Sequence, residues 1–212
     1  MEKETVFDSN VAEYDAWYDE YPAVYQSELA AIREQLQKLP ENIMGIEVGL
    51  GTGRFALPLG IKEGVEPSVP MAQKARKRGI EVIQGTAEKL PYGDLQFDFV
   101  LFVTVCHLSS LKHALTEAKR VLKNDGALLI GFLDKDRTIA DQYMEKRHRS
   151  NFFRHATFYT VDLLTRYLKD AGFKELQFNQ TLFGNLESIK DLQMPKPGHG
   201  EGSFVVVKAI KK

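Results

Sequence analysis

One cysteine in 212 residues, Cys106, leaves no partner for an intramolecular disulfide, no Cys pair for a zinc knuckle and no CxxC redox centre. A reducing, cytoplasmic setting is expected on that ground. An excess of one charge is missing as well: 28 Lys and Arg face 29 Asp and Glu, and a net charge of −1 provides no field to hold a polyanion. Nucleic acid is therefore not an expected partner. No apolar run approaches the ~20 residues of a membrane span, and the charged start MEKETVFDSN has no signal-peptide core, so neither export nor a membrane partner is expected. The five histidines show no metal-ligand spacing, and no metal is expected. What is present is ordinary globular composition, 43% hydrophobic, 27% charged and 10% aromatic, at a length that suits one domain.

Along the chain the apolar pattern alternates between two periods. Tyr25, Leu29, Ile32, Leu36 and Leu39 form a helical stripe that Pro40 ends. Strand-like runs follow at Ile43–Val48, around Val65, at Glu81–Gln84, at Asp98–Val105 and at Ala127–Ile130, separated by helical stretches. One of these is a short helix after the glycines that follow Val48. Ser68 with Pro70 and Gly79 punctuates one helix, Ser109 or Ser110 caps the next before Asn124-Asp125-Gly126 breaks it, and Thr160 with Gly172 brackets the last. The segment after Gly131 breaks the alternation, holds a helix around Ala140–Arg149, and reads as an inserted cap. Runs at Leu176–Leu182 and Phe204–Ile210 complete seven strands, with MPKPGHGEGS as loop. This is the signature of an α/β fold with a mostly parallel sheet.

The strongest local signal is IEVGLGTGRF at 46–55: a strand ending near Glu47, then Gly49, Gly51 and Gly53. Glycine at such a turn reaches positive φ and lets a ligand approach bare backbone. A dinucleotide fingerprint would place its third glycine at position 54, which is Arg54, so the spacing disfavours NAD and FAD. The E-x-G-x-G-x-G pattern resembles motif I of the class I S-adenosylmethionine-dependent methyltransferases, closest to the small type commonly labelled methyltransferase type 11. Three later stretches extend the resemblance: Glu66-Pro67-Ser68 after the second strand, Gly85 to Tyr92 (GTAEKLPY) with Thr86 in place of the usual acid, and FDFVLFVTVCHL followed by EAKRVLKNDGALLIG. The resemblance implies a Rossmann-like seven-stranded, mostly parallel sheet with helices on both faces and a helical cap. It also implies S-adenosylmethionine as cofactor and methyl transfer to a small soluble acceptor at an N, O or C atom. Open alternatives are a non-catalytic S-adenosylmethionine-binding regulator and a nucleotide-dependent oxidoreductase.

Carried over position by position, the resemblance assigns cofactor contacts to Glu47, Gly49, Leu50, Gly51, Gly53, Glu66, Pro67, Ser68, Met71, Thr86, Ala87, Glu88, Val103 and Thr104. The N-terminal FDSNVAEYDAWY resembles the F-D-x-x-A-x-x-Y-D-x-W start of small-molecule members, where a helix folds over the cofactor, and adds Tyr14 and Trp17. His107, after the central strand, is the candidate for accepting a proton from the acceptor; stacking on the cofactor or capping the next helix are its other readings. Cys106 reads as a buried packing residue, and Lys146 to Arg149 as a solvated helix face. The expected layout is a single methyltransferase domain: residues 1–39 as an N-terminal helical cap, 40–131 as cofactor-binding core, 132–158 as cap insertion, and 159–212 as C-terminal helix and hairpin.

Overall fold

The computed structural model describes residues 6–212 of the chain; residues 1–5 of the expected N-terminal cap lie outside the described residues. Three helices come first: α1 (Val6–Ser9), α2 (Val11–Glu20) and α3 (Pro22–Leu36). Pro22 opens α3, where its missing N–H would have had no helical acceptor anyway. The helix stops short of Leu39, which packs on the core from the turn beyond it.

The strands are β1 (Gly45–Val48), β2 (Glu63–Val65), β3 (Glu81–Ile83), β4 (Phe97–Val103), β5 (Leu122–Leu133), β6 (Phe173–Thr181), β7 (Lys196–Pro197) and β8 (Phe204–Lys211). Between them run α4 (Val69–Lys77), α5 (Leu111–Val121), α6 (Thr138–Lys146) and α7 (Val161–Asp170). The sheet order is β3-β2-β1-β4-β5-β8-β6-β7. Neighbours from β3 through β5 pair in parallel, while β8 pairs antiparallel with both β5 and β6.

Side chains alternate between the two faces of each strand, as the two-residue strand period requires. Val100 and Phe102 of β4 join Leu128 and Ile130 of β5 on one face, under α5 and α7. Phe99 and Leu101 join Leu129 on the other, under α3 and α4. Covered on both sides, β4 is apolar from Phe99 to Val103, with Asp98 at its start reaching out to Lys123.

Four sequence expectations change. The short helix after the glycine loop does not form: residues 51–60 run as successive turns, with Gly53, Phe55 and Ala56 carbonyls each accepting a local backbone hydrogen bond. The sheet has eight strands instead of seven, because Lys196–Pro197 in the expected loop pairs with Asn179 and Gln180 at the edge. Strand β5 begins at Leu122, opposite Phe97, and regains register at Ala127 opposite Phe99; the Asn124–Gly126 break is thus an irregularity inside a strand. The cap helix is Thr138–Lys146, with its final basic residues in a separate single turn, Arg147–Arg149.

Candidate functional site

The sheet order reverses between β1 and β4, and in open α/β sheets the crevice outside the strands' carboxyl ends at such a reversal is where ligands bind. The turn after β1, Glu66–Ser68 after β2 and Val103–His107 after β4 converge there. Gly49, Gly51 and Gly53 have φ of +71°, +57° and +80°, the left-handed region glycine reaches without strain. The space where a Gly49 Cβ would stand is empty to 4 Å, so this stretch of backbone is open to a ligand.

Two buried carboxylates frame the loop. Glu47, 1% exposed, accepts a backbone hydrogen bond from Ala56, but its Oε2 has no partner among the described residues. Burial first, then the nearby Glu66 charge, raise the Glu47 carboxyl well above the usual range. Glu66 links the loops: its Oε2 accepts from Gly51 N–H and its Oε1 from Ser68 N–H, each at 2.8 Å. Burial raises its carboxyl, and these two donors oppose the shift.

An aromatic roof covers the crevice. Tyr14 of α2 stands over the glycine loop, so that a Cβ on Gly51 would lie 3.0 Å from its hydroxyl, and Tyr18 donates to that hydroxyl at 2.9 Å. Phe7 of α1 packs on Tyr14, on Phe152 of the cap and edge-on to His107. Phe153 meets His107 from the cap side and stacks on Tyr143 of α6 at 4.1 Å between centroids. Asn151 donates to Glu13 at 3.0 Å, a polar tie between cap and α2. Burial among these rings lowers the His107 imidazole to about 4, which keeps it neutral at ordinary pH.

Asp15, on the turn of α2 between Tyr14 and Tyr18, holds the roof to the loop. Its Oδ1 accepts from Thr52 Oγ1 at 2.6 Å and Arg54 Nε at 3.1 Å; its Oδ2 faces Lys74 Nζ at 2.5 Å and Arg78 Nη2 at 2.7 Å. Burial alone would raise this carboxyl, but Lys74, Thr52, Arg78 and Arg54 together hold it well below the usual carboxylate range. Asp15 lay unassigned within the YDAW stretch; its partners are 37 to 63 residues away, so only the folded chain shows its role.

The other expected residues divide. Leu50 is buried beneath the loop, Val103 and Thr104 end β4, and Thr104 takes a left-handed φ of +58° while its N–H reaches Gly131 O. Ser68 caps α4, accepting from Met71 N–H, and Met71 is fully buried in the core beneath. Pro67 and Thr86 are exposed beside the crevice, with Ala87 buried next to Thr86. Glu88 is turned elsewhere: its Oε1 accepts from Ser109 N–H, Ser109 Oγ and Ser110 N–H, steadying the turn ahead of α5. Trp17 packs on Tyr18 and Tyr21 and faces Tyr143 of α6.

A family model described as "Methyltransferase domain" matches residues 46–130, the span from β1 through β5. Among solved structures, a Thermotoga maritima protein described as a SAM-dependent methyltransferase, possible histamine N-methyltransferase, is 41% identical, with a TM-score of 0.92 over 98% of this chain and 99% of its own. The chain belongs to the class I S-adenosylmethionine-dependent methyltransferases. This methyltransferase is also 41% identical to the uncharacterized Methanocaldococcus jannaschii protein MJ1123 over 97% of its length and 98% of the relative's. A Haloferax volcanii protein solved in complex with the Trm112 methyltransferase activator shares the fold at a TM-score of 0.72 and 16% identity, covering 98% of each chain. The cofactor is S-adenosylmethionine, and the crevice suits it: the unpartnered buried Glu47 oxygen and the open backbone at Gly49 are what an ammonium-bearing, sulfonium-centred ligand needs. Among the described residues no helix is long and apolar enough to cross a membrane, and no cluster of His, Cys, Asp and Glu could hold a metal ion.

Proposed function

We propose that this methyltransferase methylates a small soluble acceptor enclosed between the N-terminal helices and the cap. The observation that supports this reading is the roof: Phe7, Tyr14 and Phe152 meet one another over the strand ends, and Phe7 and Phe153 pack against His107. Rings packed over the strand ends keep water out, and a site so covered suits a ligand of a few atoms better than a polymer. When bound, the cofactor supplies an electrophilic methyl group, so the chain's work is to bind, align and desolvate.

In this reading Glu47 receives the amino group of the cofactor's methionine end on its free Oε2, and the backbone of Gly49, Leu50 and Gly51 lies against it. Glu66 keeps a lone pair on each oxygen beyond its two backbone bonds and takes the ribose hydroxyls. Gly53, Pro67, Ser68, Met71, Thr86 and Ala87 shape the nucleoside side, Val103 and Thr104 the floor, and Tyr14 the cover. Glu88 supports the α5 turn, and Trp17 belongs to the acceptor side. In the same reading His107, which burial keeps neutral above about pH 4, accepts a proton from an amine or hydroxyl acceptor. The Thermotoga relative's description makes amines the first acceptors to test.

The deciding experiment is transfer of tritiated methyl from labelled cofactor to a fractionated cell extract. Label in the low-molecular-mass fraction is expected. Label confined to RNA or protein overturns the small-acceptor reading.

A further inference from the structure

A cavity of about 350 Å³ lies between Tyr25 of α3, the turns from Gly53 to Pro58 and Arg78 at the end of α4; of the residues assigned to the cofactor it shares only Gly53. That volume is in the range of small-molecule pockets. Part of its lining is apolar: Pro58, and Leu57, a large side chain left 53% exposed. The rest carries Arg54 and Arg78, and the Tyr25 hydroxyl donates to the Arg54 carbonyl, which ties α3 to the turn.

Four cations gather at this corner: Arg33, which donates to the Pro58 carbonyl at 3.1 Å, and Arg54, Lys74 and Arg78, which share Asp15. Among the described residues only Asp15 and Asp19 pair with them, so positive charge is in surplus. Arg78 is held by one end of its guanidinium. Its Nη1 donates to the Thr52 carbonyl at 2.6 Å and the Thr52 hydroxyl at 2.7 Å, and its Nη2 to Asp15 at 2.7 Å. Its Nε–H enters no hydrogen bond among the described residues, and with the second Nη2 proton it forms the edge that receives a planar carboxylate in two parallel bonds.

We propose that this cavity is a second binding site, apart from the cofactor crevice, for a small organic carboxylate whose head pairs with Arg78 and whose apolar body covers Leu57 and Pro58. A guanidinium already fixed by three bonds loses little freedom when a ligand arrives, so its two remaining donors bind at low entropic cost. An uncharged ligand would leave the surplus charge unanswered. Inorganic phosphate would answer the charge but leave Leu57 exposed, and an ammonium ion would meet four cations. Arg78 also holds Asp15, which seats α2 over the glycine loop, so the site adjoins the joint on which the roof rests.

The site does not depend on which acceptor is methylated. Benzoate is the probe, benzamide its uncharged match, and inorganic phosphate the anion without an apolar body. Nuclear magnetic resonance on the full chain, with S-adenosylhomocysteine present to keep the crevice occupied, reads the Arg78 Nε–H signal directly. Benzoate is expected to shift that signal and the amides of Gly53, Arg54 and Leu57, and to bind tenfold or more tighter than benzamide or phosphate. Leu57→Asp, which sets a carboxylate at the exposed wall, is expected to weaken benzoate tenfold or more while S-adenosylhomocysteine affinity is unchanged. Absence of a shift at Arg78 with millimolar benzoate, shifts confined to Val103–His107, benzamide or phosphate binding as tightly as benzoate, or benzoate affinity that survives Leu57→Asp overturns the proposal. The comparison of the three probes needs no variant, so it decides even where the substitution disturbs folding.

Discussion

Both oxygens of Glu66 are engaged by backbone before any ligand is considered, which makes this side chain part of the glycine loop's architecture as well as of its chemistry. Glu66→Ala is expected to weaken S-adenosylhomocysteine binding by roughly 1–3 kcal/mol, since charge-assisted hydrogen bonds are lost. Gly51→Val acts more strongly. A β-branched residue at φ +57° is strained in itself, and its Cβ would press on the Tyr14 hydroxyl. Binding should be abolished in a calorimetric titration, and unchanged affinity in either variant would place the cofactor elsewhere. Glu28, buried on the inward face of α3, makes a ligand-free prediction. Its carboxyl titrates at about 8 in the fold against 4.5 for the free side chain, so the folded state favours the protonated form. The stabilisation from that proton is complete below pH 4.5 and lost as pH rises through 8. Glu28→Gln should therefore melt at nearly the wild-type temperature at pH 4.5 and be more stable by roughly 2–5 kcal/mol at pH 9, as thermal unfolding would show. A constant difference across that window would mean the carboxyl is ionised throughout.

At the scale of elements, α2 is joined to the loop after β1 and to α4 through one carboxylate. Removing it leaves Arg54, Lys74 and Arg78 side by side without their shared counter-charge. Their partial exposure allows water to relieve some of that repulsion, so Asp15→Ala should cost about 2–3 kcal/mol, below the loss for a fully buried pair. The damage should be local. Limited proteolysis is expected to cut within residues 6–20 of the variant while the sheet survives, and cofactor affinity should fall because Tyr14 is no longer held over Gly51. A variant with wild-type protease resistance would show that the ring contacts alone seat the roof.

Over the whole molecule, stability should be graded from the sheet outward. Strands β4, β5 and β8 are buried on both faces, whereas α1 has no buried residue and lays its Phe7 ring on Tyr14, His107 and Phe152. Native-state hydrogen exchange should find the slowest amides in those three strands and the fastest in α1, α2 and residues 147–155. Adding S-adenosylhomocysteine should slow exchange in α1, α2 and the Val103–His107 segment with little change in β8. Protection that rises uniformly instead would indicate that the ligand stabilises the fold without acting on the roof.

The sequence alone determined the parts of this protein that rest on local physics. An unbroken apolar run places β4 at the centre because a strand covered on both faces can carry nothing else. Ser68, Ser110 and Thr160 are caps because a short side-chain oxygen before a helix meets a free N–H wherever the helix lies. The glycine loop and the two acids beside it were legible for the same reason, since each lies at the end of a strand whose pattern is plain. The tertiary structure decided what depends on distant partners. Asp15 reads as any helical acid until Thr52, Arg54, Lys74 and Arg78 gather on it, and Glu28 as one more polar residue until packing buries the inward face of α3. The bonds Glu88 makes to the Ser109–Ser110 turn likewise join residues more than twenty positions apart. Periodicity along a chain reports which face of an element is apolar, but the charge a buried carboxyl meets is set by contacts dozens of residues away, and those exist only once the sheet has assembled.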